Sequence, residues 1–384
     1  MTTTQKHDPF MAVRIPEYRS LMAGRFLFVV GLRMMGTLVG WWIYNLTDLP
    51  FAIGLIGLSE VIPAVSLALY AGHVIDISEK RKLLLTGVFS YGFLCCLLWL
   101  LASSYSSTHL SNQAIANCIY VIIFFTGIAR SFTGPVFNVM IGNIIKDKKV
   151  IQNATTWSQS MWLSASVIGH ALAGILIAYL GNQGTLSVIC ILIAIAFTIF
   201  LGLKVKPALN EKGDKRTWDS VKEGIAFVLK TKELLGALTL DLFAVFFGGA
   251  VAMVPVYARD ILKVGPQGFG YLNSASDLGS ITIVVLLTIF PMRKKQGLKL
   301  LLSVAGFGVC IIVFALSELF WISFAALLLS GILDGISVVI RGTIMQLKTP
   351  ENMRGRVMSV NSMFINSSNE LGQFESGFAA KLMN

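Results

Sequence analysis

The stretch AGHVIDISEKRKLLL, residues 71–85, joins two long apolar runs through a hinge that holds Asp76, Glu79 and then three consecutive bases, Lys80, Arg81 and Lys82. Such a concentration of charge stands out in this chain, where only 13% of 384 residues are charged and 55% are hydrophobic. The mean hydropathy is +0.73, too apolar for a water-soluble domain and characteristic of a polytopic membrane protein. The hinge is therefore read as a short loop between two membrane spans.

A spanning helix needs roughly 20 mostly apolar residues, because the hydrocarbon core is about 30 Å thick and a helix rises about 1.5 Å per residue. Eleven segments qualify: residues 20–43, 51–75, 83–101, 114–142, 154–180, 184–203, 235–257, 268–291, 297–316, 320–340 and 357–382. The expected class is an all-α membrane protein. The polar first residues show no apolar centre or small-residue cleavage site, so the first span is expected to remain as an anchor.

A net charge of +11 would suit a nucleic-acid partner if the bases formed a patch, but they sort by side instead. The N-terminus and the loops after the even-numbered spans, with their edges, hold 25 of the 31 Lys and Arg, whereas the opposite loops hold Arg259 and Lys263. This is the positive-inside pattern and places the N-terminus in the cytoplasm. The basic balance thus reports topology, and no nucleic-acid partner is expected.

The five cysteines fall within or at the edges of apolar spans without metal-ligand spacing, and are expected to be buried packing residues. His7, His73, His109 and His170 are scattered. No nucleotide-binding G-x-x-x-x-G-K-[ST] occurs, and no polar stretch could house a nucleotide domain, so transport would draw on a gradient and not on ATP. Neither enzyme chemistry, a metal nor a cofactor is expected.

The longest polar segment, residues 204–233, follows the sixth span. Trp218, Val221, Ile225, Phe227, Val228 and Leu229 give its second part helical apolar spacing, the pattern of an amphipathic helix at the cytoplasmic surface. Residues 1–203, 204–234 and 235–384 are accordingly expected to form a six-helix bundle, a linker and a second bundle. Internal echoes agree. An offset of 204 lays Gly127 and Arg130 on Gly331 and Asp334, an offset of 203 lays Gly169 and Gly174 on Gly372 and Gly377, and an offset of 216 lays Pro50 and Gly54 on Pro266 and Gly270.

Gly72 and Asp76 followed by Lys80-Arg81-Lys82, Arg130 with Gly134, and the string from Gly169 to Gly174 resemble the loop, fourth-helix and fifth-helix motifs of the major facilitator superfamily. His170 stands where the fifth-helix motif has Pro, and Ile77 where the loop motif has Arg. Residues 41–64, 254–272 and above all 349–380 are similar to the branch containing the bacterial enterobactin exporter and related efflux proteins. The resemblance implies two pseudo-symmetric bundles, of which the second has five helices here because the chain reaches Asn384 where the eleventh ends. It also implies that Gly72, Asp76 and Arg81 form a cytoplasmic gate with Arg354 or Arg356. Topology alone is the plainer account of the three bases.

Charges inside spans cost roughly 2.5 to 3.5 kcal/mol each on translocon scales and therefore need partners. Arg33, Arg130 and Glu60 in the first half, and Asp241 and Asp334 in the second, lie on helix faces of small residues, which turn toward other helices or a cavity. Arg25, near a span end among bulky neighbours, is expected to snorkel, and Glu370 and Glu375 to make structural hydrogen bonds. The resemblance places helices 1, 4, 7 and 10 around a central cavity, so that Arg33 and Arg130 would face Asp241 and Asp334. A structural role for these ion pairs is the other reading.

The expected function is proton-coupled export of a small amphipathic molecule by a monomeric, multi-pass antiporter of the bacterial inner membrane. The resemblance implies a siderophore-like cargo, with Trp41, Trp42 and Phe132 as candidate aromatic surface. A broad multidrug exporter and a transport-inactive membrane subunit or truncated product are the alternatives.

Overall fold

The computed structural model describes residues 10–145, 147–205, 217–290, 292, 295–350 and 353–383, and among these there is no β-strand. The long helices are α1 (Pro16–Thr47), α2 (Pro50–Ile77) and α3 (Lys80–Leu101), then, after a short α4 (Ser104–His109), α5 (Asn112–Ile144) and α6 (Lys148–Leu201). After the amphipathic α7 (Thr217–Lys230) come α8 (Lys232–Phe247), a one-turn α9 (Val254–Val256), α10 (Gly265–Ile289), α11 (Gln296–Leu316), α12 (Phe320–Lys348) and α13 (Arg354–Met383).

Nine helical runs among the described residues are long and apolar enough to cross a bilayer. One of them, Asn153–Leu201, has 49 residues, which at about 1.5 Å each would be more than twice the hydrocarbon thickness. It reverses at Gly181, whose φ of 67° and ψ of −174° belong to a region that only glycine enters at low cost. Contacts with α1 show the reversal. Arg25 meets Ser158 of the first arm while its neighbour Gly24 abuts Phe200 of the second, and further along α1 Val30 and Arg33 meet Gly169 while Gly31 meets Ile189 and Ile193. The two arms are antiparallel and count as two crossings.

The eleventh crossing, α13, is expected among the apolar spans, but with Glu370, Glu375 and Lys381 it is not one of the nine apolar runs. It is instead held by helices on either side: Gly54 and Gly57 of α2 approach its backbone around Gly377 and Glu370, and Gly249 approaches Gly372. The seventh crossing breaks at this contact. A Gly248-Gly249 pair and Pro255 turn the end of α8 into a 3-10 segment, Gly248–Met253, and then α9 and a π-turn, Tyr257–Ile261.

α6 and α10 pack on each other, as do α2 and α13. We call the face bearing the α2–α3 loop the basic face. There the expected amphipathic helix forms as α7, but protein covers its apolar side: Val228 is buried with Leu234 and Leu238 of α8, Met345 of α12, and Val357 and Val360 of α13. Another expectation fails for two of the cysteines. Cys95 is buried, but Cys96 and Cys118 are exposed on the helix surface, where an apolar thiol in a membrane span needs no packing partner.

Candidate functional site

Three polar groups sit at mid-helix positions. In the first, Arg130 of α5 is ion-paired with Glu60 of α2 and reaches Glu370 of α13, with Nη1 to Oε1 at 3.3 Å. One guanidinium thus links two carboxylates from opposite ends of the chain. The Arg130 side chain keeps 38% of its surface exposed. A charged group so exposed at mid-span must border water and not lipid.

The second group occupies the C-terminal helices. Asp241 of α8 is ion-paired with Arg341 of α12, both side chains being 6% exposed, and Arg341 Nη2 lies 3.9 Å from Asp334 Oδ1. Asp334 is 40% exposed. A cavity of about 10 Å³ lined by Asp241, Ser303, Asp334 and Ser337 adjoins this group and has room for about one water.

Arg341 corrects the sequence reading, which ended the tenth span at residue 340 and assigned this base to a loop. α12 continues to Lys348, and Arg341 stands seven residues after Asp334, two helical turns along the same face. That spacing was the available signal. The expected pairing of Arg130 with Asp334 is replaced by pairing within each half, with Arg130 also bridging to Glu370 of α13. Glu370 therefore joins the ionic group that the sequence reading had left it out of.

In the third group, the Arg33 guanidinium of α1 lies 4.6 Å from the centroid of the Trp162 ring on α6 and within electrostatic reach of Asp277 on α10. Arg25 does not snorkel. It is buried, with Nη1 donating to Ser158 Oγ at 2.5 Å and its guanidinium 5.0 Å from the centroid of the Phe137 ring, because α5 and α6 enclose this part of α1. Trp41 is also buried and stacks on Phe269 of α10 at 5.4 Å.

Of the expected gate residues, the side chains of Asp76, Arg354 and Arg356 and the surroundings of Gly72 lie outside the described residues. Two of the three hinge bases have local roles. Lys80 is buried, and its Nζ donates to the carbonyls of Ile75 and of Ser78, the latter at 3.0 Å. Arg81 Nη2 donates to the Leu201 carbonyl at 2.5 Å. Both cations neutralise helix C-termini, of α2 and α6 respectively. On the opposite face Arg259 stacks on Tyr44 at 4.0 Å and pairs with Asp48 at 2.7 Å, while Tyr44 donates to Asp260. This cluster ties the α1–α2 turn to the end of the seventh crossing, and its one sequence signal was that Arg259, with Lys263, stands on a side whose loops otherwise hold no Lys or Arg.

The comparisons with known proteins agree with this architecture. The family model described as Major Facilitator Superfamily matches residues 21–372. Among curated proteins, the enterobactin exporter EntS of Escherichia coli O1:K1 / APEC is 25% identical over 351 residues, which are 89% of this chain and 80% of that protein. The protein of the same name from Shigella boydii serotype 18 (strain CDC 3083-94 / BS512) is 25% identical over the same shares. Among solved structures, a mutant of the nucleoside transporter NupG superposes with a TM-score of 0.75 at 13% identity, covering 95% of this chain and 91% of that one. A bacterial homologue of the iron transporter ferroportin, in an inward-facing state, gives 0.69 at 15% identity and 97% coverage of both chains. A helical chain with paired inter-helix glycine contacts, arginines bracketed by carboxylates at mid-span and a family match over nearly its whole length belongs to the Major Facilitator Superfamily: it is a multi-pass membrane transporter and not an enzyme.

Proposed function

We propose that this transporter is a proton-coupled exporter of a small anionic or catechol-bearing molecule, acting as a monomer in a bacterial inner membrane with its basic face in the cytoplasm. The observation that carries the coupling is the charge balance of the three groups. Arg33, Arg130 and Arg341 stand among Glu60, Glu370, Asp241, Asp334 and Asp277. Unneutralised charge in a low-dielectric interior is costly. Five carboxylates for three cations therefore favour protonation, and a cargo or a helix movement that displaces an arginine changes which acid holds the proton.

Export is the direction suggested by the curated relatives, whose names give enterobactin as cargo. Arg33 over Trp162 and the exposed Arg130 supply what an aromatic anion needs, a charged hydrogen-bonding fork beside a ring surface. Residues 1–203 and 235–384 would be the two moving bundles. In this conformation they meet near the opposite face, through Arg259 and the contacts at Gly174 and Gly54, which supports a cavity open to the basic face. One proton moving down 100 mV supplies roughly 2.3 kcal/mol, enough to hold more than a roughly tenfold gradient of neutral cargo.

The test uses purified protein in vesicles with an imposed pH gradient and a catecholate siderophore as probe. Cargo-dependent proton flux, abolished by dissipating the gradient, is the expected result. Cargo movement independent of the gradient would remove the coupling, and no movement of the catecholate would remove that class of cargo.

A further inference from the structure

Between α6 and α10, Asp277 makes a second polar contact, apart from its interaction with Arg33. Asp277 Oδ2 accepts a hydrogen bond from Ser166 Oγ at 2.5 Å and lies 3.5 Å from His170 Nε2. Ser166 and His170 are one helical turn apart on α6, facing α10. The other ring nitrogen, His170 Nδ1, is 2.6 Å from Thr37 Oγ1 of α1.

The hydrogen bonds assign the tautomer. Thr37 Oγ1 donates to the Arg33 carbonyl at 3.0 Å, so its single proton is used, and towards His170 it can only accept. Nδ1 therefore carries a proton and Nε2 of the neutral ring is an acceptor. That lone pair faces Asp277 Oδ2, also an acceptor when ionised. Two acceptors facing each other at 3.5 Å repel unless a proton lies between them, and with one the contact becomes a charge-assisted hydrogen bond.

We infer that His170 Nε2 and Asp277 Oδ2 hold one proton between them, forming a proton-binding site at the contact of α6 and α10. When the site is loaded, imidazolium and carboxylate bind the two helices together; when Nε2 gives up its proton, the contact loosens. The site lies one turn along α6 and two turns along α10 from the point where Gly174 and Gly270 meet, where the bundles must part for the opposite face to open. It would thus take a proton from one side and release it to the other.

The surrounding charges are Arg33 on α1, which reaches both Asp277 and His170, and Asp334 on α12, which reaches Asp277. Glu60, Arg130 and Glu370 act through Arg33, and Arg259 and Asp260 lie on the turn packed at the far end of α10. Arg33 opposes loading and Asp334 favours it. The arginine thus provides a way for cargo to expel the proton.

The inference rests on the proton-coupled reading for its purpose but not for its test, which uses cargo-free protein. Histidines labelled with ¹³C and ¹⁵N are followed by NMR against pH in lipid nanodiscs, with His170 assigned by the signal lost in His170→Gln. The His170 ring is expected to titrate. In Asp277→Asn, which withdraws the anion that stabilises imidazolium, the midpoint should move to lower pH by about one unit or more. In Ser166→Ala, which removes a hydrogen bond to the carboxylate, it should move to higher pH. A purely structural contact would not give opposite signs. A His170 signal that does not titrate, or that titrates identically in both variants, overturns the site even if pH-driven flux persists in vesicles. Titration with the expected signs in a protein that shows no flux would uphold the site and remove the transport reading.

Discussion

Gly174 of α6 and Gly270 of α10 meet backbone to backbone: a Cβ built on either would lie 2.7 Å from the Cα of the other. The same relation holds between Gly54 of α2 and Gly377 of α13, where the corresponding distances are 3.2 and 2.9 Å. The internal repeat connects the two contacts. The offset of 216 carries Gly54 onto Gly270, and that of 203 carries Gly174 onto Gly377, so each contact is the other with its partners exchanged. This is the exchange expected of two pseudo-symmetric bundles.

Substituting Ala at Gly174 should therefore cost about 1–3 kcal/mol, the usual range for overpacking, because the atom in the way is backbone. Gly36→Ala is the control. Nothing lies within 4 Å of a Cβ there, and in a helix interior the change should be neutral or slightly stabilising. Thermal melts in matched detergent compare the two, and equal melting temperatures would mean that the α6–α10 approach is looser than described.

The buried pair of Asp241 and Arg341 leads to a second prediction. Arg341→Gln leaves Asp241 without its cation in an apolar setting, a loss of about 3–5 kcal/mol for a buried pair. Adding Asp241→Asn removes the stranded charge, so the double variant should be more stable than Arg341→Gln alone. Denaturant titrations of both measure this, and strict additivity of the two losses would show that the pair does not interact.

How much of this was legible in the sequence depended on range. Hydropathy separated α1, α2, α3, α5, both arms of α6 and α10 to α12 because each covers the bilayer with apolar residues, and apolar spacing placed α7. Arg130, Asp241, Asp334 and Glu60 stood out because charge in a span is rare. Their pairing did not, since the contacts of Arg130 depend on how α2 and α13 approach, and helical spacing has no knowledge of tertiary contact. Arg341 is hidden for a different reason: a base at the cytoplasmic end of a span is already accounted for by topology, so its two-turn spacing from Asp334 does not stand out. His170 was visible only as an odd residue in a motif, and Asp277 as one acid among several.

The two-armed reading of α6 makes a topological prediction. A reporter active only in the cytoplasm, inserted after Asn182 in the turn between the arms, should be silent, whereas one inserted after Val205 should be active. The same reading at both positions would show that the second arm of the 49-residue run does not cross back, and activity after Asn182 with silence after Val205 that the basic face is not cytoplasmic.

The coupling reading makes the last prediction, which concerns Asp334. Its side chain is 40% exposed and lies 3.9 Å from an arginine that the buried Asp241 already engages, so of the two acids it is the one that water can reach and the one with the weaker hold on the cation. A carboxylate in that position can accept a proton from the cavity without a buried ion pair being broken, whereas protonating Asp241 would strand Arg341. Asp334→Asn fixes the neutral form. It should abolish uphill export driven by a pH gradient while leaving cargo binding and gradient-free exchange within about twofold of the parent, because the protonated acid and the amide present similar shapes and neither carries charge. Asp241→Asn should in addition lower stability. Vesicle assays run at several internal pH values, with and without the gradient, separate these effects. Uphill export with unchanged pH dependence in both variants would leave Asp241 and Asp334 as structural partners of Arg341, and coupling would pass to the other bracketed arginine, Arg130 with Glu60 and Glu370.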